Sequence, residues 1–153
     1  MKHLNTLSFE FTFDYHNDEV YFANTYPYSY SDLNVYLDYV NQKPKINDIM
    51  RMYSFDIKSL AGNNIQCLVI TDFTNEPEEI SEREAIILSS RVHPGETSAS
   101  YIIEGVIDFL LGKSKEARFL RKNFVFKIVP MINVDGVING NTRTNLAGLD
   151  LNR

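Results

Sequence analysis

Two apolar runs separated by one amphipathic helix constrain this chain more than any other feature. The first run is "AIILSS", Ala85 to Ser90, and the second lies within "FVFKIVPMIN", Phe124 to Asn133. Both are short, continuous and flanked by polar residues, as expected of strands covered on both faces. Between them Ile102, Val106 and Leu110 form one row, and Ile103, Ile107 and Leu111 form the next. That spacing is the apolar stripe of an α-helix, with Thr97 or Ser98 placed to cap its start and Gly112 its end. A second short helix is expected over Lys115 to Arg121. Strand, helix and strand at this spacing form a βαβ unit, which requires a parallel pair with a right-handed crossover.

Other elements surround this unit. "QCLVIT", Gln66 to Thr71, reads as a strand after the turn Ala61-Gly62-Asn63-Asn64, and "NEPEEISERE" reads as a solvated loop. Leu33, Tyr36, Leu37 and Val40 share one helical face, with Ser31 as N-cap and Lys43-Pro44 as the stop. Ahead of it, Leu7, Phe9, Phe11 and Phe13 alternate at period two. His16-Asn17-Asp18 then supply a turn, and Val20 to Ala23 is the partner strand of a hairpin. A β-rich start therefore gives way to mixed α/β at about residue 25.

Composition narrows the class further. With 153 residues and 44% hydrophobic content, the chain can bury one real core, and no apolar stretch approaches the ~20 residues of a membrane span. A net charge of -5 without a basic run argues against nucleic acid as a partner. The single cysteine, Cys67, forms no internal disulfide, and the N-terminus lacks a signal-peptide core. Both features point to the cytoplasm.

In open α/β sheets, sites gather at the carboxyl ends of parallel strands. "RVHPGETSAS", Arg91 to Ser100, places His93 and Glu96 just past the end of the first strand, and "NVDG", Asn133 to Gly136, follows the second. Imidazole and carboxylate are both zinc ligands, and three residues across a Pro-Gly turn can bring both to one ion. The same pair also reads as a loop histidine beside a glutamate that favours a helix N-terminus. Downstream, "GNTRTNLAGLDLNR", Gly140 to Arg153, carries Arg143 and Arg153 beside Asn145 and Asn152. The planar arginine fork suits carboxylates and developing oxyanions.

Three stretches, "RVHPGETSAS", "KIVPMINVDGVINGNTRTNLAGLDLNR" and "YFANTYPYSYSDL", resemble the zinc metallocarboxypeptidases of the M14 family. The likeness is specifically to the cytosolic carboxypeptidase branch, which trims glutamates from tubulin and other proteins. The resemblance implies residues 1–24 as the end of an N-terminal β-sandwich domain and residues 25–153 as the first half of a catalytic α/β/α domain. It implies His93 and Glu96 as ligands of Zn2+ and Asp150 as the acid that hydrogen-bonds the ligand imidazole. It further implies Arg143 as the oxyanion stabiliser, with Asn152 and Arg153 as the clamp on the terminal carboxylate of a peptide or protein substrate. The family's third zinc ligand, a histidine, and its general base, a glutamate, lie well downstream of the "DLNR" motif. His3 and His16, the other histidines, are not where that ligand belongs.

Two readings follow. The chain is the N-terminal part of an active enzyme, inactive alone, or it is a truncated non-catalytic product with weak metal or partner binding. Two departures from the family pattern are expected to act locally. Val134 replaces the proline of "NPDG" and should loosen a turn, and Thr142 replaces an aromatic beside Arg143 and should alter a subsite.

Overall fold

The computed structural model describes residues 6–153. Helix α1 (Tyr30–Asn41) and a 3-10 turn (Ile46–Asp48) lead into strand β1 (Met50–Ser54) and strand β2 (Gln66–Ile70). Helix α2 (Pro77–Ser81) precedes strand β3 (Glu84–Ser89); helices α3 (Thr97–Leu111) and α4 (Lys115–Asn123) precede strand β4 (Phe124–Val129). Helix α5 (Val134–Asn139) is the last element. The four strands form one sheet in the order β1-β2-β4-β3. β3 and β4 run parallel in the register Ile86 to Phe126 and Leu88 to Ile128, as the βαβ pattern requires. β2 is antiparallel to both β1 and β4.

Burial explains the placement of the helices. Leu33, Leu37 and Val40 of α1 and Ile103, Ile107 and Leu110 of α3 join Met50, Leu68, Ile70, Phe126 and Ile128 of the sheet in one core. The buried face of α3 crosses the two predicted rows, taking Ile103 and Ile107 from one and Leu110 from the other, while Ile102 stays 67% exposed. Ala117 and Arg121 are the buried residues of α4, and Arg121 ties the helix to the carbonyl ends of α3 through Leu110 O and Gly112 O.

Several local expectations are corrected. The N-cap of α1 is Ser29, not Ser31: its hydroxyl accepts from Asp32 N while the Asp32 carboxylate accepts from Ser29 N, a reciprocal capping box. Neither Thr97 nor Ser98 caps α3; Glu96 takes the cap position, and the Thr97 hydroxyl instead meets that of Thr25 at 2.9 Å. Gly112 ends α3, in an extended conformation. The loop expected at "NEPEEISERE" contains α2, started by Pro77 and with no buried residue. β1 was not expected at all.

The hairpin does not form: residues 6–29 contain no strand. The turn is present, with Asn17 at φ 60°, and the arms fold back so that Phe22 meets Phe9 and Phe11 edge to face at 5.0 and 5.1 Å. No ladder follows, because two strands with no third element among the described residues to cover them gain little. Leu7, Phe9 and Phe13 remain more than half exposed. The part of this expectation that falls on residues 1–5, including His3, lies outside the described residues.

Candidate functional site

The site is built where β3 and β4 end. Pairing continues past the strands: Ser90 N donates to Val129 O, Ile132 N to Ser90 O and Asn133 N to Arg91 O. The two loops therefore leave the sheet side by side. Asn133 locks them together, since its Nδ2 donates to Val92 O at 3.1 Å and its Oδ1 accepts from Gly136 N. Val134, expected to loosen this turn, instead begins α5 and is 1% exposed, so the Asn133 cap and packing hold the turn without a proline. Gly136 is required here because a Cβ would lie 2.4 Å from Pro94 Cγ.

The turn carrying His93 and Glu96 is pressed against the last loop. Gly95 N donates to Thr142 O at 2.8 Å, and a Cβ at Gly95 would sit 2.8 Å from that oxygen. Beyond Thr142 the chain tightens around Asn145, whose side chain accepts from Ala147 N and Leu149 N, with Gly148 at φ 76°. This returns Asp150 to His93.

The imidazole of His93, 8% exposed, lies between two carboxylates. Its Nδ1 is 2.9 Å from Glu96 Oε1 and its Nε2 is 3.0 Å from Asp150 Oδ1. Asp150 also accepts from Arg143 Nε at 2.7 Å and from Asn152 N at 2.9 Å. The Asn152 amide first, then the His93 and Arg143 contacts, outweigh burial and hold the Asp150 carboxyl at about 2. An ionised Asp150 favours the tautomer with the proton on Nε2, which leaves the Nδ1 lone pair on the side of Glu96.

That donor set fits two positions of a zinc site: a neutral nitrogen and a carboxylate oxygen converge, and an acid backs the imidazole. Among the described residues no group of three or more His, Cys, Asp or Glu side chains is arranged to hold a metal ion. His16 lies in an exposed turn.

The structure thus gathers four of the six sequence-nominated residues, His93, Glu96, Asp150 and Arg143, into one chain of contacts. Asn152 and Arg153 are exposed at its rim, and among the described residues the Arg153 guanidinium donates only to Asn152 O. Sequence reasoning placed "NVDG" at the second strand end but gave no role to Asn133, which joins the two strand ends, or to Asp135. The Asp135 carboxylate accepts from Ser59 Oγ, Ala61 N and Asn63 Nδ2 and so pins the β1–β2 loop to α5. The "NVDG" motif itself was the available signal for both.

A parallel pair with a histidine, two carboxylates and Arg143 gathered beyond its carboxyl ends defines a class, and comparisons with known proteins agree with it. The zinc carboxypeptidase family model, Peptidase M14, matches residues 33–153. The chain is 44% identical over 147 residues to human cytosolic carboxypeptidase 2, covering 96% of this chain and 16% of that protein. To mouse cytosolic carboxypeptidase 3 it is 45% identical over 152 residues, covering 99% and 15%. Among solved structures, a metallo-carboxypeptidase from Burkholderia cenocepacia superposes with a TM-score of 0.70 at 30% identity, covering 83% of this chain and 33% of that one. A Pseudomonas aeruginosa metallo-carboxypeptidase in complex with (2-guanidinoethylmercapto)succinic acid gives 0.66 at 27%, covering 82% and 31%. The chain belongs to the zinc carboxypeptidase family. It spans about a sixth of the length of the curated relatives it matches.

Proposed function

We propose that this chain supplies part of the active site of a cytoplasmic, zinc-dependent carboxypeptidase, with residues 25–153 as the first half of the catalytic domain and residues 1–24 as the end of a preceding β-sandwich domain. The observation that carries this reading is His93 held between Glu96 and Asp150. His93 Nδ1 and Glu96 would hold Zn2+, and a third ligand and the general base come from another stretch of the full polypeptide. Zn2+, when bound, acidifies a water and polarises a carbonyl.

The chain's own residues do the rest. Asp150 keeps the His93 proton on Nε2. Arg143 anchors Nε on Asp150 and leaves its two amino groups, on a half-exposed side chain, to donate to the oxygen on which charge develops. Asn152 and Arg153, exposed at the rim, grip the free C-terminal carboxylate and so select the last peptide bond. Resemblance to the cytosolic branch supports C-terminal glutamates of acidic protein tails, such as those of tubulin, as the substrate.

The reading is tested by zinc affinity in the full polypeptide. His93→Ala should abolish stoichiometric binding, and Asp150→Asn should weaken it by about 10- to 100-fold, the scale for a partner of a metal-bound histidine. Unchanged affinity in His93→Ala would refute the assignment. Tight binding by residues 1–153 alone, lost in His93→Ala, would mean that a third ligand lies within them.

A further inference from the structure

Arg91 precedes His93 by two residues and has no part in the chemistry above. It is 4% exposed, and its φ of 56° lies in the left-handed region, which a residue with a Cβ adopts only where its surroundings impose it. Each nitrogen of its guanidinium donates one hydrogen bond. Nε donates to Pro94 O at 2.9 Å, Nη1 to Ser100 Oγ at 2.7 Å and Nη2 to Tyr28 O at 3.0 Å.

These acceptors lie on three separate segments: the turn between His93 and Glu96, the first turn of α3, and the stretch that precedes α1. The last is itself strapped to α3, through Thr25 on Thr97 and the Tyr101 hydroxyl on Pro27 O at 2.6 Å. None of the three acceptors carries a charge, and the Tyr28 ring lies 5.9 Å from the guanidinium carbon. Burial accordingly pulls the Arg91 pKa down, with Tyr28 and Tyr101 opposing. The cation is thus buried on hydrogen bonds to neutral acceptors alone, with no counter-charge among them.

What the cation provides is geometry. Glu96 occupies the cap position of α3 without any side-chain cap bond, so the helix start does not by itself aim its carboxylate. Pro94 O, which Arg91 holds, lies inside the four-residue turn that sets the distance from His93 to Glu96. Thr142 O holds the same turn from the opposite side through Gly95 N.

We propose that Arg91 is a positioning residue, clamping the His93–Glu96 turn to α3 and to the segment before α1 so that Nδ1 and Oε1 converge on a divalent cation. The proposal rests on the metal-ligand reading above. A planar fork can meet three fixed acceptors at once, whereas a lysine ammonium on a flexible stem cannot hold the same three.

The test uses the full polypeptide carrying Arg91→Met, Arg91→Lys or Ser100→Ala. The readouts are the zinc dissociation constant by chelator competition, the visible spectrum of the cobalt(II)-substituted protein, and the melting temperature of the metal-free form. Arg91→Met should weaken zinc binding by about 10- to 100-fold and change the cobalt spectrum, while the metal-free melting temperature reports separately the cost of leaving Pro94 O, Ser100 Oγ and Tyr28 O unpaired. Arg91→Lys should restore neither readout, and Ser100→Ala should weaken binding by a few-fold, as expected for the loss of one hydrogen bond. Zinc affinity within about twofold of the parent and an unaltered cobalt spectrum in Arg91→Met would overturn the proposal. If that variant does not fold, parental affinity in both Arg91→Lys and Ser100→Ala overturns it. His93→Ala separates the two levels: retained zinc there refutes the metal reading, whereas zinc lost there but kept in the Arg91 variants refutes the clamp alone.

Discussion

Strands β2 and β3 both pair with β4 and both carry short apolar runs, "CLVI" and "AIIL", yet they end in different surroundings. In β2, Cys67, Leu68 and Ile70 are buried, and Leu68 and Ile70 are completely so. In β3 no residue is buried and Ile87 is 72% exposed. β2 lies between β1 and β4, under α1 and α3, whereas β3 forms the edge of the sheet. An apolar run therefore reports that a strand is meant to be covered, and the topology decides whether the cover is within reach. Under the proposed domain reading, the cover for β3 is further sheet and helix of the same catalytic domain.

The sharpest break of this comparison is a pair of truncations. Leu68→Ala should cost about 2–5 kcal/mol, the range for emptying a fully packed leucine site. Ile87→Ala should cost the same chain about 0.5 kcal/mol or less, as at an exposed position. Chemical denaturation of both variants checks this. In the full polypeptide the Ile87 cost should rise towards that of a core residue; an equal cost in both contexts would mean that β3 has no further cover.

A smaller effect is expected at Asp135, on the covered side. Burial raises its pKa, but the bonds from Ser59, Asn63 and the Ala61 and Leu60 amides outweigh it, and the net shift is downward. A carboxylate with a lowered folded pKa contributes stability that is present above its unfolded value, about 3.9, and is lost as pH falls through the folded value. Asp135→Ala should cost about 1–2 kcal/mol at neutral pH by removing bonds from the part-buried Ser59, Ala61 and Asn63 donors, with the difference shrinking in acid. A pH-independent difference would count against the bonds as its source.

The smallest expected effect concerns association. Residues 1–153 alone expose Ile87, Ile102 and Phe109, and the sample should self-associate, with Ile87→Ser reducing but not abolishing this. Sedimentation would decide; a monomeric, cooperatively melting sample would show that the β3 edge needs no partner.

The same contrast explains what could be read from the sequence. β3, β4 and α3 were legible because their periodicity is long and interrupted only by punctuation, and their strand ends located His93, Glu96 and Asn133. β1 was missed because "MRMYS" has Arg51 and Tyr53 outward and only Met50 fully buried. Its existence depends on pairing with β2, a contact that no local pattern encodes. The N-terminal alternation failed for the opposite reason: the pattern is strong, but nothing among the described residues covers it.

In the site, motif resemblance picked out His93, Glu96, Arg143 and Asp150, while the sharing of Asp150 between His93 and Arg143 was not legible. It depends on the turn at Asn145 and Gly148 bringing two segments 57 residues apart together. Arg91 escaped notice because its partners are backbone and hydroxyl groups on three segments.

The most direct test of the account separates the two arginines in the full polypeptide. Arg143→Ala should lower kcat by about 100-fold or more with a smaller change in KM, the scale for removing an oxyanion donor. Arg153→Ala should raise KM strongly and blunt the preference for peptides ending in a free glutamate over the same peptides amidated, assayed by amino-acid release and mass spectrometry. Unchanged KM and an unchanged preference for the free end in Arg153→Ala would contradict the carboxylate clamp, and with it the reading of this motif as that of a carboxypeptidase.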